Sequence, residues 1–478
     1  MVTQNQTCES TWILKMVLGT TKPNEMNAAE SWLPELFCGQ AGRVANVTSY
    51  SRRVKDVADK CIDGWRISSD PQSILHDPLA EHSPRYRQAN IGVFFLNIEI
   101  QHCKRPVVEN RPFCVLPGDV VVPRIPPLHA SLVSESNHRH PIDGNCYIVR
   151  GMKPGDAAWL LALLNEKEFE AWFMARSGSQ ALPRIGLKDL RNCPFPDPPE
   201  GVPQWSTRLF DWVERYSSNA NRLFSLQSEV SHHVSQYLSD QDEQGHSLFP
   251  GVREPAVLLA GDSWLPVHVE SEYQQRRLVE KGALRLKDLV VAEAAASARL
   301  RQGRSSMIRL LKITDVTGIY IPSVEPSLSE TRLGRFFAEP VKNGEVLVST
   351  MVTYPKIAYG DTALTEEMHP IDHWVRFTFR KTPGAWALVL SSPAMIAHFR
   401  RLATGSALQF TNAGRLIKLC VPNIDSALRK RWQSRLDELL ADRRHLDKEW
   451  NVLRLEGRRM VASVLNIPWG EIQERSMK

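Results

Sequence analysis

The chain has 478 residues, of which 42% are hydrophobic and 23% charged, and its formal net charge is +6. This length suits two to four domains, and the composition is ordinary for a globular protein. No run of about 18 apolar residues occurs, which argues against a membrane span. The N-terminus also lacks the basic and apolar segments of a signal peptide.

The eight cysteines are scattered, and no two of them have C-x-x-C spacing. This argues against a zinc ribbon or a disulfide framework and predicts a reducing cytoplasm. The positive charge permits nucleic-acid binding without requiring it.

The first half predicts a mixed module after an N-terminal extension, residues 1–42, that matches nothing later in the chain. Within residues 43–200, strands are expected at 91–98 and at 119–122, and a helix over 155–176. The apolar residues of this helix lie on or near one face: Trp159, Leu160, Leu163, Leu164, Phe169 and Phe173. Prolines between 194 and 199 end the module.

Residues 201–240 predict a long helix. Alternating steps of four and three from Trp205 reach positions that are mostly apolar or aromatic, which is typical of a coiled-coil seam. These positions are Trp205, Leu209, Trp212, Tyr216, Asn219, Leu223, Leu226, Val230, His233 and Tyr237. His233 takes a seam position, and we expect a packed or interhelical histidine there rather than a metal ligand.

The second half repeats this organisation, with a polar connector at 241–280, a mixed module at 281–425, a helix at 426–465 and a tail at 466–478. Adding 227 to each seam position again gives a largely apolar set. It comprises Trp432, Leu436, Leu439, Arg443, Leu446, Trp450, Leu453, Gly457, Met460 and Val464. At 1.5 Å per residue each helix would be about 50 Å long, and pairing would bury both seams.

Three short motifs recur in chain order at nearly one shift, 226 or 227 residues. The pairs are Gly118-Asp119-Val120 with Gly344-Glu345-Val346, Ser177-Gly178-Ser179 with Thr404-Gly405-Ser406, and Trp205-Ser206-Thr207-Arg208-Leu209 with Trp432-Gln433-Ser434-Arg435-Leu436. The segment 286–289 likewise answers 54–57, and the segment 310–313 answers 95–98. The sequence therefore predicts a duplicated module with its helix.

A search for catalytic motifs finds no nucleotide-binding glycine loop, no H-E-x-x-H and no G-x-S-x-G. Asp197-Pro198-Pro199-Glu200 lacks the aromatic fourth residue that stacks on a flipped base, so it is interpreted as a linker. No lysine follows Asp or Glu at nuclease spacing. His138-Arg139-His140, with His129, has no completing ligand at helical spacing and favours a polar loop. We therefore expect neither catalytic nor metal-binding residues.

Lysines and arginines are frequent in the predicted loops of both modules, and such side chains neutralise phosphates and read guanine. A solvated surface explains any single one of them equally well. The candidate DNA-binding residues are Arg85, Arg87, Lys104, Arg105, Arg124, Arg139, Arg299, Arg301, Arg304, Arg332, Arg335, Lys342 and Lys356.

Taken in order, these features resemble the DNA-specificity subunit of type I restriction–modification systems. Each half has a Leu/Val-Lys-Asp-Leu/Val segment, a Gly-Asp/Glu-Val turn at Gly118 or Gly344, a Ser/Thr-Gly-Ser turn, a strand ending in proline and a long helix. The resemblance implies an α+β fold with two tandem mixed α/β target-recognition domains. Their helices would pair as an antiparallel coiled coil with pseudo-two-fold symmetry.

The resemblance also implies function. Each module would read one half of a bipartite sequence in double-stranded DNA. Two methyltransferase subunits would dock on the helices and bring S-adenosylmethionine, while the chain itself would bind no cofactor and catalyse nothing. A motor–nuclease subunit would join in a full phage-defence system.

Two other classes of protein stay open from the residues alone. The first is a coiled-coil scaffold that binds proteins without DNA. The second is an enzyme with a divergent nuclease or methyltransferase site.

Overall fold

The computed structural model describes most of both modules and both long helices. The described residues are 50–65, 83–86, 88, 91, 94–95, 101–103, 112–125, 128–137, 140–176, 184–239, 278–280, 282–294, 307–316, 318–322, 327–328, 339–351, 355–371, 373–401 and 411–467. They form two compact units, residues 1–221 with 448–478 and residues 222–447. Each unit holds one module and about half of each long helix, so the division does not follow chain order.

Module 1 contains short strands and three helices before the first long helix. The strands are β1 (Lys60–Asp63), β2 (Ser83–Arg85), β3 (Phe94–Phe95), β4 (Gln101–Cys103), β5 (Val120–Pro123), β6 (Ser131–Leu132) and β7 (Cys146–Arg150). The helices are α1 (Pro154–Leu164), α2 (Lys167–Arg176) and α3 (Leu187–Arg191). The main sheet has the order β1-β7-β5-β6-β3, and β2 pairs with β4 separately.

The predicted helix over 155–176 is broken into α1 and α2 at Asn165. The Asn165 side chain bonds both backbone groups of Ala130, accepting from its nitrogen at 3.2 Å and donating to its oxygen at 3.0 Å. These bonds hold the asparagine beside β6. Helix α1 is not amphipathic either, because every residue from 157 to 164 is buried. A helix that is apolar all round belongs to a core.

Module 2 also combines short strands with helices. Its strands are β8 (Leu284–Arg285), β9 (Val290–Ala294), β10 (Met307–Leu311), β11 (Ser327–Leu328), β12 (Glu345–Ser349), β13 (Ile357–Tyr359), β14 (Met368–Pro370), β15 (Trp374–Phe379) and β16 (Cys420–Val421). With α4 (Val202–Ser239) as the first long helix, the remaining helices are α5 (Leu286–Leu289), α6 (Pro383–Ser391), α7 (Pro393–Arg401), α8 (Ala413–Leu416) and α9 (Ser426–Leu465). The mixed α/β composition predicted from the sequence is confirmed.

The central strands of the two modules pair alike. In module 1, β5 lies between β7 and β6, and in module 2, β12 lies between β15 and β13. The strands β1 and β9 add to the outer sides of β7 and β15 in antiparallel fashion. Helix α1 packs on β6 as α6 packs on β13. The duplication seen in the sequence therefore extends to the sheet.

The three middle residues of strand β12 are apolar because the two faces of the strand belong to different cores. Val346 and Val348 join the core that contains α6 and parts of both long helices. Leu347 points into a second core with Met368 and Trp374. Side chains alternate across a strand, so a strand covered on both faces shows a continuous apolar run.

The sheet pairing contradicts one equivalence inferred from the sequence, in which segment 310–313 corresponds to segment 95–98. Leu310 pairs in parallel with His369, shortly before β15 begins. Tyr86 forms the equivalent parallel bridge to Ile142, just before β7. The counterpart of Leu310 is therefore Tyr86, at a shift of 224, and no large insertion separates the halves here.

Helices α4 and α9 cover the residues whose heptad patterns predicted long helices. Most of the large apolar seam positions are buried, while Leu223 and Trp450 are partly buried. The buried ones include Trp205, Leu209, Trp212, Leu226, Trp432, Leu436, Leu439 and Leu453.

His233 is exposed, but its ring centre lies 5.6 Å from that of Trp432 on α9, so it makes the interhelical contact predicted for it. The buried stripe beside it continues through Leu226, Val230 and Val234 in steps of four. A straight helix drifts away from a strict seven-residue repeat, and here the drift carries the stripe past position 233.

The polar seam positions are also enclosed. Asn219 is buried, and the Arg443 side chain is only 11% exposed. Burial lowers the pKa of Arg443 to about 10, and the nearby carboxylate of Asp447 opposes this shift.

Candidate nucleic-acid interface and its helical support

A tight turn with a buried carboxylate precedes the central strand of module 1. Gly118 has a φ of +84°, which only glycine adopts without strain. The Leu116 nitrogen donates to Asp119 Oδ2 at 2.7 Å, and Arg150 Nη2 donates to the same oxygen at 2.7 Å. Burial raises the pKa of Asp119, and the bonds from Arg150 and the Leu116 nitrogen act against that rise.

Module 2 rebuilds this turn with a longer acid. Gly344 has a φ of +83°, and the Lys342 nitrogen donates to Glu345 Oε2 at 2.8 Å. Arg376 Nε lies 3.3 Å from the same oxygen. Glu345 stands opposite Thr378 in the sheet, so Arg376 is two residues away, whereas the arginine of module 1 is directly opposite its acid. The longer side chain of glutamate spans this offset.

The end of each central strand is anchored by an equivalent backbone bond. The Ile185 nitrogen donates to Arg124 O at 2.8 Å, and the Thr411 nitrogen donates to Thr350 O at 2.9 Å. Both partners differ by 226 residues between the modules. The repeated turns that precede these anchors lie outside the described residues: Ser177-Gly178-Ser179 and Thr404-Gly405-Ser406.

Few of the candidate DNA-binding residues lie within the described residues. Arg124, Lys342 and Lys356 are described with their side chains, and Arg85 is described only as part of β2. The others lie outside the described residues: Arg87, Lys104, Arg105, Arg139, Arg299, Arg301, Arg304, Arg332 and Arg335.

Arg124 fastens the hairpin at the end of β5. Its Nη1 donates to Gly144 O at 2.9 Å and lies 3.6 Å from Asp63 Oδ1. Its guanidinium carbon stands 4.9 Å from the ring centre of Tyr147. These contacts give the side chain a structural role at the anchor.

The two candidate DNA-binding lysines that the structure describes, Lys342 and Lys356, also have partners inside module 2. The Lys342 ammonium bonds the carboxylate of Glu339, and this interaction raises the pKa of Lys342. Lys356 Nζ donates to Val316 O at 3.3 Å. Lys342 is exposed and Lys356 is half-buried.

Within the first unit, aromatic residues join α4 to α9. Trp205 Nε1 donates to Leu453 O at 2.9 Å, and the rings of Trp212 and Trp450 stack with their centres 4.8 Å apart. A Cβ atom on Gly457 would approach Trp205 Cζ2 to 2.7 Å. The two helices therefore approach closely only because residue 457 has no side chain.

Within the second unit, one glutamate joins the same two helices. Glu229 on α4 accepts from Trp432 Nε1 at 2.9 Å, from Arg431 at 2.7 Å and from Arg435 at 2.5 Å. Partial burial favours the protonated form of Glu229. The bonds from Trp432, Arg435 and Arg431 outweigh it and lower the pKa to about 2. Earlier on α4, Arg222 bonds Glu438 at 3.0 Å. Residue numbers therefore rise along α4 from 222 to 229 while those of the partners on α9 fall from 438 to 432, so the two helices run antiparallel within this unit.

Each module is tied by polar bonds to the long helix that follows it. In module 1, Ser136 Oγ donates to Glu214 at 2.6 Å and Asn137 Nδ2 donates to Ser217 at 3.2 Å. In module 2, Arg444 forms two bonds with Asp361 through Nε at 2.8 Å and Nη2 at 2.5 Å. Residues 217 and 444 again differ by 227. The sequence did not predict these ties. Helical periodicity shows which apolar residues are buried, but it does not show which residue a neighbouring polar side chain bonds.

In the described ranges, no group of three histidine, cysteine, aspartate or glutamate side chains could hold a metal ion. Among the helices that the structure describes, none is long and apolar enough to cross a membrane.

No family model matches the sequence, and no curated protein matches it. The chain is similar to solved structures of type I restriction–modification proteins. One is the S subunit from M. genitalium, with 11% identity, a TM-score of 0.39, and coverage of 86% of this chain and 95% of that one. Another is the HsdS subunit from Thermoanaerobacter tengcongensis, with 13% identity, a TM-score of 0.26, and coverage of 87% and 95%. A third belongs to a study of complex assembly and conformational transition in a type I R-M system, with 12% identity, a TM-score of 0.25, and coverage of 87% and 96%.

Proposed function

We propose that this chain is the non-catalytic DNA-recognition subunit of a type I restriction–modification or related phage-defence complex. Each module reads one half of a bipartite target in double-stranded DNA. Helices α4 and α9 pair antiparallel as the spacer that fixes the distance between the half-sites.

One observation supports this proposal most strongly: the supporting features of module 1, including its attachment to a long helix, recur in module 2. The glycine turn, the buried acid with its arginine, the strand-end anchor and the polar tie to a long helix all occur twice, at shifts of 226 or 227 residues. Two equivalent readers on paired helices suit a target with two half-sites, because the position of each module then follows from the helices. A catalytic subunit would need one reaction centre, not two equivalent supports.

The partners follow from the resemblance. Two methyltransferase subunits dock on the helices and supply S-adenosylmethionine and the chemistry of adenine methylation. A motor–nuclease subunit joins where the output is restriction. The cytoplasm is the expected location, since the target is chromosomal or phage DNA.

The DNA contacts are expected from the loop arginines and lysines outside the described residues. Arg299, Arg301 and Arg304 form the densest group in module 2. The three candidates whose side chains are described already have internal partners, so they serve first to hold strand ends and turns.

Salt-dependent DNA binding tests the proposal. The affinity of the purified chain for duplex DNA should fall linearly with salt on a double-logarithmic plot. Replacing Arg299 and Arg301 by alanine should reduce the slope by about 2, because each phosphate that is no longer neutralised lowers it by roughly 0.9. The control replaces Lys430 and Lys448, two exposed lysines of α9, and should leave the slope unchanged.

Each alternative predicts a different result. A protein scaffold would show no DNA affinity at any salt concentration. An enzyme with a divergent site would cut or methylate DNA by itself when given magnesium or S-adenosylmethionine. Either result would overturn the proposed function.

A further inference from the structure

Two neighbouring tyrosines of module 2 both bond the helix α9. Tyr320 and Tyr359 form a parallel bridge and are nearly inaccessible to solvent. The Tyr320 hydroxyl donates to Asp447 Oδ2, and the Tyr359 hydroxyl donates to Asp437 Oδ1 at 3.1 Å. The two acceptors are ten residues apart on one helix, about 15 Å along its axis.

A glutamine on the same helix extends this contact. Gln433 Nε2 donates to Tyr359 Oη at 2.8 Å and to Asp437 Oδ2 at 2.8 Å, while its oxygen accepts from the Gly384 nitrogen at 2.7 Å. Helix α6 and strand β13 are thereby held to one side of α9. The Arg444 pair with Asp361 lies between the two tyrosine bonds along the helix.

Separated contacts on a rigid rod restrict motion in a way that one contact cannot. A single bond allows the module to pivot about it, whereas bonds 15 Å apart along α9, by the rise of about 1.5 Å per residue, resist rotation and sliding together. Burial raises the pKa of both tyrosines, so both hydroxyls keep the proton that they donate. Hydrogen bonds to carboxylates are about twice as strong as neutral ones.

The tie of module 1 to its helix is chemically different. It uses Ser136 and Asn137 on the module, and one of the acceptors is the neutral hydroxyl of Ser217. The other acceptor, the Glu214 carboxylate, also accepts from the Glu135 nitrogen at 2.8 Å, and Asn221 Nδ2 donates to Ser136 O at 3.1 Å.

We propose that the bonds Tyr320–Asp447 and Tyr359–Asp437 form a clamp that fixes the orientation of module 2 on α9 and so restricts the chain to a single half-site spacing. This inference rests on the proposed function. One base pair more or less moves a half-site by about 3.4 Å and rotates it by roughly a tenth of a turn. A module that pivots on its helix would accept neighbouring spacings, and a clamped one would not.

Methylation mapping of the whole complex tests the clamp. The chain carrying Tyr320→Phe and Tyr359→Phe is produced with its methyltransferase subunits, and methylated sites are mapped by long-read sequencing. We expect both half-sequences to be kept, while the preference for the original spacing over the neighbouring ones falls about tenfold, in line with the loss of a hydrogen bond to a charged group. The control is Tyr147→Phe, which removes an equally buried hydroxyl whose partner is Ile185 O in its own module, at 2.9 Å. This control should keep one spacing.

Hydrogen exchange of the free chain provides a second readout that does not need methylation. In the double variant, amide exchange at 318–322 should accelerate about tenfold, while exchange within β12 and β15 stays as in the wild type. If the double variant fails to fold, each single variant is measured in the same way.

The outcomes separate the two proposals. Unaltered spacing preference in a folded double variant, or unaltered exchange at 318–322, would overturn the clamp. A wild-type complex that methylates no bipartite sequence would instead overturn the proposed function, and the exchange result would then decide whether the clamp exists.

Discussion

Gly457 shows how a single residue determines the approach of the two long helices. Its missing side chain leaves room for Trp205, which is 2% exposed and whose Nε1 donates to Leu453 O. The ring is enclosed and bonded, so it has little freedom to move aside. Crowding at this point has to be absorbed by the helix backbones.

We predict that Gly457→Ala destabilises the chain by about 1–3 kcal/mol, the usual cost of overpacking a core. The higher helix propensity of alanine would return less than about 1 kcal/mol of this. Denaturant unfolding of the wild type and the variant measures the difference.

The matched control is Gly155→Ala in helix α1, where an added Cβ would meet nothing within 4 Å. This substitution should be neutral or stabilising by roughly 0.5–1 kcal/mol. Equal effects of the two substitutions would show that the Trp205 contact does not limit the helix approach.

At this scale the sequence revealed which residues recur but not which residues they bond. The pair Gly118-Asp119 and Gly344-Glu345 was visible from the repeat. The arginines Arg150 and Arg376 recur at the same shift of 226, but their bonds to the acids were not visible, because Arg150 stands opposite its acid while Arg376 is two residues away. That offset depends on strand register, which spacing in the sequence does not contain.

Glu229 is the clearest electrostatic element in the helix pair of the second unit. Its folded-state pKa, about 2, lies below the ordinary value of 4.5. A carboxyl group with a lowered pKa stabilises the folded state above its unfolded pKa. That contribution is lost as the pH falls through the folded pKa.

We therefore predict that Glu229→Gln lowers stability by roughly 1–2 kcal/mol at neutral pH. The difference from the wild type should be constant above pH 4.5 and shrink as the pH falls from 4.5 towards 2. Urea midpoints of both proteins at pH 7, 5, 4 and 3 measure it.

Glu438→Gln is the control, since the Arg222–Glu438 pair lies on the same two helices but both side chains are more than half exposed. It should change stability little at any pH. A Glu229→Gln deficit that persists unchanged at pH 3 would contradict the electrostatic origin of the effect.

At the scale of elements, heptad periodicity predicted both long helices, because a seam of large apolar residues is a strong signal. It did not show that His233 stays exposed beside Trp432, since the buried stripe of a straight helix leaves a strict seven-residue repeat. The break between α1 and α2 was also unpredictable. It depends on the Asn165 side chain bonding Ala130, a partner distant in sequence.

The whole molecule divides into units that each contain parts of both long helices. Chain order predicted modules and helices as successive domains, and a sequence pattern alone cannot reveal that distant segments share one unit. Under the proposed function, this arrangement makes helix length the natural determinant of half-site spacing.

We predict that inserting four residues into both α4 and α9 changes the half-site spacing and keeps each half-sequence. Four residues add about 6 Å to a helix, comparable to roughly two base pairs of DNA. Methylation mapping of the lengthened complex measures the spacing. Altered half-sequences at an unchanged spacing would contradict the role of the helices as a spacer.

The central claim is that this chain selects the DNA sequence on which other subunits act. The most direct test is methylation sequencing of cells that contain the methyltransferase subunits, with and without this chain. We predict methylated adenines in one bipartite sequence only when the chain is present. The same bipartite methylation in its absence would contradict the claim.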